Sequence, residues 1–77
     1  MIVYFKRSNG ELIKLKEAHN QKEVVKIISE HLEEHNFKSY YWRWWREHNG
    51  LWMCDIGSWS EFYVVEGADE HFLEGRE

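Results

Sequence analysis

The dipeptide Asn-Gly occurs twice, in Ser8-Asn9-Gly10 and in His48-Asn49-Gly50, each time between runs of β-branched or aromatic residues. Both residue types tolerate the left-handed backbone of a tight turn, and the pair flanked by apolar residues is the strongest short-range hairpin signal. Residues 1–7 with 11–17, and 39–47 with 51–57, therefore read as two hairpins. Loop length then sets the register. Two-residue loops would put Trp44 opposite Asp55 and Phe5 opposite Lys14. Three-residue loops that close on a left-handed glycine give Arg7–Glu11, Phe5–Ile13 and Val3–Leu15 in the first hairpin. In the second they give Arg43–Asp55, Arg46–Trp52, Trp44–Cys54 and Trp42–Ile56. Opposite charges and matching apolar groups face each other only in the longer loops, and such cross-strand pairs are what stabilise a sheet, so the three-residue register is preferred.

Between the hairpins, Val24, Ile27, Ile28 and Leu32 recur at helical spacing and make one apolar stripe. Asn20 is a good N-cap, with Glu23 three residues on as in a capping box, and Asn36 suits a left-handed helix end. These signals predict a helix from Gln21 to His35. EFYVVE at 61–66, after the turn Gly57-Ser58-Trp59-Ser60, reads as a fifth strand. The expected fold is α+β, a two-layer ββαβββ arrangement with one helix packed on an antiparallel sheet of about five strands. Seventy-seven residues hold one core, so a single domain over 1–77 is expected, with an acidic C-terminal tail from about 67 to 77.

In the preferred register Tyr40, Trp42, Trp44, Trp52, Cys54 and Ile56 share one face. Tyr41, Arg43, Trp45, Leu51, Met53 and Asp55 share the other. One helix covers one face of a sheet, and the first, almost wholly apolar set belongs beneath it. The second set combines aromatic, Met and Arg residues around an Arg43–Asp55 pair, which is the anchor composition of protein interfaces. Left in solvent it would be a contact surface; in a sheet that curls, a loop or the C-terminal tail would cover it.

Charge and cysteine usage narrow the setting. Residues 1–46 carry nine Lys/Arg against six Asp/Glu, whereas residues 47–77 carry one Arg against eight Asp/Glu. An acidic C-terminal third argues against general nucleic-acid binding, which leaves a basic footprint. Cys54 is the only cysteine, so no intrachain disulfide staples the fold; together with an opening charged too early for a secretory leader, this points to a reducing, cytoplasmic setting. No apolar run approaches the roughly 20 residues of a membrane helix, so no membrane span is expected. The aromatic content of 17% takes the place of a staple, because rings bury large areas at small entropic cost.

Few residues suggest reaction chemistry. His31-Leu-Glu-Glu-His35 matches H-x-x-E-H, and histidines four apart lie on one helical face where they could share a metal. Both fall beside the apolar stripe, so packed histidines bonded to a hydroxyl or carbonyl are the expectation, and no cofactor is implied. Cys54 on a core face, without a cation or helix N-terminus beside it, is an inert thiol. The Gly57–Ser60 turn precedes a strand and lacks anion-binding geometry. No catalytic constellation is present, so the chain reads as a non-enzymatic binder. Two other binding modes stay open: a nucleotide-like ligand held between subunits by Tyr41, Arg43, Trp45 and Arg46, or single-stranded nucleic acid stacked on the sheet face with Lys38 assisting.

The run DIGSWSEF at 55–62, the opening IVYFKR and the stretch HNFKSYYWRWW resemble a group of small proteins from phages and prophages of Gram-positive bacteria. Trp59 departs from that pattern, where histidine is commoner. The resemblance implies a phage-encoded protein acting in the host cytoplasm by stoichiometric binding to a host protein, as a host-takeover or anti-defence inhibitor. Its sheet face would meet the partner or a second copy of the chain, and its acidic end a basic surface. It assigns no catalytic residues.

Overall fold

Both Asn-Gly loops close in the same way. Arg7 N–H donates to Glu11 O at 2.8 Å and Gly10 N–H to Arg7 O at 2.9 Å; Glu47 N–H donates to Leu51 O at 2.8 Å and Gly50 N–H to Glu47 O at 2.9 Å. Gly10 and Gly50 both take φ of +89°, the left-handed backbone that glycine enters without a Cβ clash. Asn9 Oδ1 and Asn49 Oδ1 each accept the amide two residues ahead, the local bond that makes Asn a turn residue. The loops are three residues long, as the charge pairing requires.

The computed structural model describes residues 1–58 and 60–75, and so excludes Trp59 and the last two residues. The loops join β1 (Ile2–Lys6) to β2 (Leu12–Glu17) and β3 (Arg43–Arg46) to β4 (Trp52–Asp55); β5 is Phe62–Glu66, and α1 is Gln21–Glu34. All strands lie in one antiparallel sheet of order β2-β1-β5-β4-β3. This is the expected α+β layering of one helix on five strands. Arg43–Asp55, Trp44–Cys54 and Arg46–Trp52 pair as expected, and so do Phe5–Ile13 and, by backbone bond and ion pair, Arg7–Glu11.

Two expected pairs fail. The register shifts between Val3 and Tyr4, so Val3 faces Lys16 and not Leu15. Leu15 is the extra residue of a bulge, and it still packs against the core. The β3–β4 ladder stops at Arg43–Asp55, so Trp42 and Ile56 are not ladder partners. Tyr40 N–H instead donates to Ile56 O at 3.0 Å, and Tyr40, expected beneath the helix, is 75% exposed.

The helix begins as its sequence dictates. Asn20 Oδ1 accepts the amide of Glu23 at 2.9 Å, and Glu23 reaches back to the amide of His19 at 2.8 Å, one residue before the usual capping-box target. Asn36, at φ +55°, ends it. Val24, Ile27, Ile28 and Leu32 face Val3, Phe5, Trp52, Cys54, Tyr63 and Val65 in one buried cluster. That cluster also contains Ala68 and Phe72, the latter opening a 3₁₀ turn, Phe72–Gly75. The Phe72 ring meets Trp44 at 5.4 Å and Trp52 at 5.6 Å, and Trp52 Nε1–H donates to Asp69 O at 2.8 Å. The expected acidic tail is thus, over its described part, a segment that completes the core beside the helix. Its acidic side chains Asp69, Glu70 and Glu74 stay outside.

Candidate functional site

Strand alternation sends Tyr4, Lys6, Phe62, Val64, Met53, Asp55, Arg43 and Trp45 to the face that α1 does not cover, in cross-strand rows Tyr4–Val64–Met53–Trp45 and Lys6–Phe62–Asp55–Arg43. Asp55 sits at a junction of this face. Its Oδ1 accepts Gly57 N–H at 2.9 Å, and its Oδ2 accepts Arg43 Nη2–H at 3.1 Å and the Tyr41 hydroxyl at 3.4 Å. Such a set of donors stabilises a carboxylate that is only 5% exposed. The Arg43 guanidinium carbon lies 5.4 Å from the Trp45 ring centre, within cation–π range. Trp45 in turn meets Phe62 edge-on at 6.0 Å and donates from Nε1 to Glu47 at 2.6 Å.

All six contact residues read from the sequence therefore lie in one region, but not all in solvent. Tyr41 is about half exposed, Arg43 is exposed, and Trp45 and Leu51 are half-buried. Met53, at 7% exposure, and Asp55 are buried, so the expectation that they stand in water is corrected. The cause lies in β5. Its Val64, 2% exposed, and Phe62 stand next to Met53 and Asp55, and side chains on both flanks close over the centre of the face. Phe62, Tyr4 and Leu12 belong to the surface and were missed. The signal for Tyr4 and Phe62 lies in the alternation of IVYFK and EFYVVE, where every second residue must oppose the core.

Of the four residues expected to bind a nucleotide, Tyr41, Arg43 and Trp45 meet on this face and Arg46 does not. Arg46 alternates onto the other side of β3, and its Nε–H donates to Gly50 O at 3.3 Å. Arg43 and Trp45 are engaged with each other. The cavity on this face, about 210 Å³, opens between the two hairpin loops and is lined by Lys6, Leu12, Leu51, Met53 and Val64, among others, with neither arginine.

Behind the sheet, His31 Nδ1 lies 2.7 Å from the hydroxyl of the fully buried Tyr63. Among the described residues the phenol has no other hydrogen-bond partner; with its O–H donating to Nδ1, the neutral His31 carries its proton on Nε2. Burial holds the His31 pKa below its ordinary value, assisted by the charge of His35, whose ring centre is 4.3 Å away. His31 and His35 form part of an aromatic cluster with Phe5 and Phe37. Among the described residues there is no group of three or more His, Cys, Asp or Glu placed to hold a metal. Cys54 is fully buried, and burial with the charge of Asp55 pushes its thiol up to about 12. Among the described residues no helix is long and apolar enough to cross a membrane. Comparison with protein-family models, with curated proteins and with solved structures gives no match, so any function is read from the chain's own residues.

Proposed function

We propose that this chain is a small non-enzymatic binding protein that docks a protein partner on the face of the sheet opposite the helix. The observation that carries the reading is the partly exposed cluster of Tyr41, Trp45 and Phe62 around an arginine that a buried carboxylate holds in place, with Leu51 farther along the same face. The core is already served by the other face, so these side chains gain their remaining burial only from a partner. Tryptophan, tyrosine and arginine dominate interface energetics, and an arginine fixed in advance loses less entropy on binding. On the resemblance to small phage and prophage proteins, the partner is a host protein and the setting the host cytoplasm. The mode of action is inhibition or redirection of host machinery, including antiviral defence.

The test uses wild-type and Trp45→Ala protein as parallel baits in host lysate, followed by calorimetry on the purified captured protein. A central anchor should contribute at least about 2 kcal/mol, or roughly thirtyfold in affinity. Equal affinity of the two baits would place the contact elsewhere on the molecule.

A further inference from the structure

A second concave surface adjoins the open face at the Gly57 turn. Where α1 ends and β4 runs out, the segment after the helix and the β4–β5 connection border a cavity of about 620 Å³. That volume falls among those of small-molecule sites, about 300–1,000 Å³. Phe5 and Ile56 form an apolar floor, Phe37 and Tyr40 line it as aromatic walls, and Lys38 and Glu61 bring one charge of each sign.

The two aromatic walls are held from behind. Asn36 takes a left-handed φ of +55°, so the chain turns back and Phe37 N–H donates to Leu32 O at 2.9 Å. The Phe37 ring then stacks on His35 at 5.5 Å and on Phe5 at 6.0 Å, yet stays 38% exposed. Tyr40 is anchored through its own amide on Ile56 O and by the bare backbone of Gly57. A Cβ at Gly57 would stand 3.0 Å from Tyr40 Cβ and 3.2 Å from its Cδ2, and Gly57 itself has φ of +92°. Backbone in sparsely populated conformations thus fixes two large rings where they remain in water, which hydrophobic burial alone would not select. Between the rings in sequence, Lys38 makes no ion pair among the described residues. The Glu61 carboxylate accepts the Ser58 hydroxyl at 3.3 Å and keeps its other oxygen for a further donor.

We propose that this cavity binds a planar aromatic ring bearing an anionic group, of the size of a nucleoside monophosphate: the ring lies against Phe37 and Tyr40, its N–H edge meets Glu61, and its phosphate meets Lys38. The two charges decide the class. A simple anion is attracted by Lys38 but repelled by Glu61, so it gains little. A bare ring satisfies Glu61 and leaves the ammonium without its partner. Only a ligand with a donor edge and a separate anion answers both, and base–aromatic stacking contributes about 1–3 kcal/mol for each such contact. The site is contained in one chain and borders the open face only at Gly57, whose amide bonds Asp55; its small-molecule probes report on it separately from the protein-docking reading.

The experiment is an amide-resolved NMR titration with AMP, UMP, adenosine and inorganic phosphate as separate probes. Shifts from a monophosphate centred on residues 36–38, 40, 56–58 and 61, weaker shifts from adenosine and none from phosphate are expected. Tyr40→Ala and Phe37→Ala should each lower monophosphate affinity about tenfold. Lys38→Gln should weaken AMP several-fold while leaving adenosine unchanged, and Trp45→Ala should leave both unchanged. Tyr40 and Lys38 are exposed, so their variants test the site even if Phe37→Ala fails to fold. The proposal is overturned if no probe shifts these amides at millimolar concentration. It is equally overturned if phosphate alone reproduces the shifts, or if they fall on Leu51, Met53 and Val64.

Discussion

Replacing Tyr63 by phenylalanine removes one oxygen and almost no volume, which makes it a clean probe of the joint between helix and sheet. The hydroxyl's partner is His31 Nδ1 at 2.7 Å, and the phenol ring around it is fully buried. In Tyr63→Phe the imidazole keeps its place against Phe5 and His35 but loses its donor. A buried acceptor left unsatisfied costs about 1–3 kcal/mol. His31 is only half-buried and water reaches it in part, which favours the lower half of that range, about 1–2 kcal/mol. For a domain of this size each kcal/mol moves Tm by about 4–8 °C, so the variant should melt roughly 5–15 °C below wild type at pH 8. Thermal unfolding followed by tryptophan fluorescence reads this directly. The double variant Tyr63→Phe/His31→Leu should recover part of the loss, because removing both polar partners leaves no orphan. The pH dependence supplies a second check with a definite sign. Burial lowers the folded-state pKa of His31 from its ordinary 6.5, with His35 adding to the shift and Glu34 opposing it. The unfolded chain therefore takes up this proton first as pH falls. The contribution is fully present above 6.5 and is lost as pH falls from there through the depressed folded value. His31→Gln should flatten the wild-type slope of stability in that window. A Tyr63→Phe protein with unchanged Tm, or a His31→Gln protein with unchanged acid slope, would refute the assignment.

Three further outcomes follow from the geometry. Gly57→Ala should lower the urea midpoint by the equivalent of about 1–2 kcal/mol or more, since the left-handed backbone is strained for alanine and the new Cβ meets Tyr40. A variant as stable as wild type would mean the turn is free to rearrange. Phe72→Ala should cost about 3–5 kcal/mol, the range for deleting a buried ring, whereas a solvated tail would change stability by less than about 0.5 kcal/mol. Cys54 should resist thiol reagents in the native state at pH 8 and react on addition of denaturant, because burial and Asp55 raise its pKa to about 12. Native labelling at the rate of the unfolded chain would contradict its place in the core.

The two hairpins, their loops and the helix caps were legible because local chemistry determines each of them. Asn-Gly demands its turn, and Asn20 demands its amide. The strand order was not, since alternation says which face a residue serves but not which strand lies beside it. That gap hid the burial of Met53, whose cover comes from Val64 on a strand distant in sequence. The bulge at Val3/Tyr4 shifts register without changing any residue type, and no composition signal marks it. The alternation points Tyr40 to the core only if the strand extends beyond Arg43, where it in fact begins. Phe72 was overlooked because its acidic neighbours made the segment look solvated. In the candidate site, the Arg43–Asp55 pair followed from loop length alone. The aromatic walls at Phe37 and Tyr40 did not, because they depend on where two left-handed residues turn the chain.

The position of β5 also has a consequence for synthesis. Among the described residues β5 is the last strand in chain order, yet it occupies the middle of the sheet, between β1 and β4. Until Glu66 has left the ribosome, the nascent protein holds two separate two-stranded ribbons, each marginal in water on its own. Each of them also presents the unpaired edge that β5 will later fill. Phe72, which closes the core over Trp44 and Trp52, emerges later still. Folding therefore waits for β5 to emerge, and a message truncated before β5 leaves two unsatisfied ribbons, the kind of exposed edge that quality control removes.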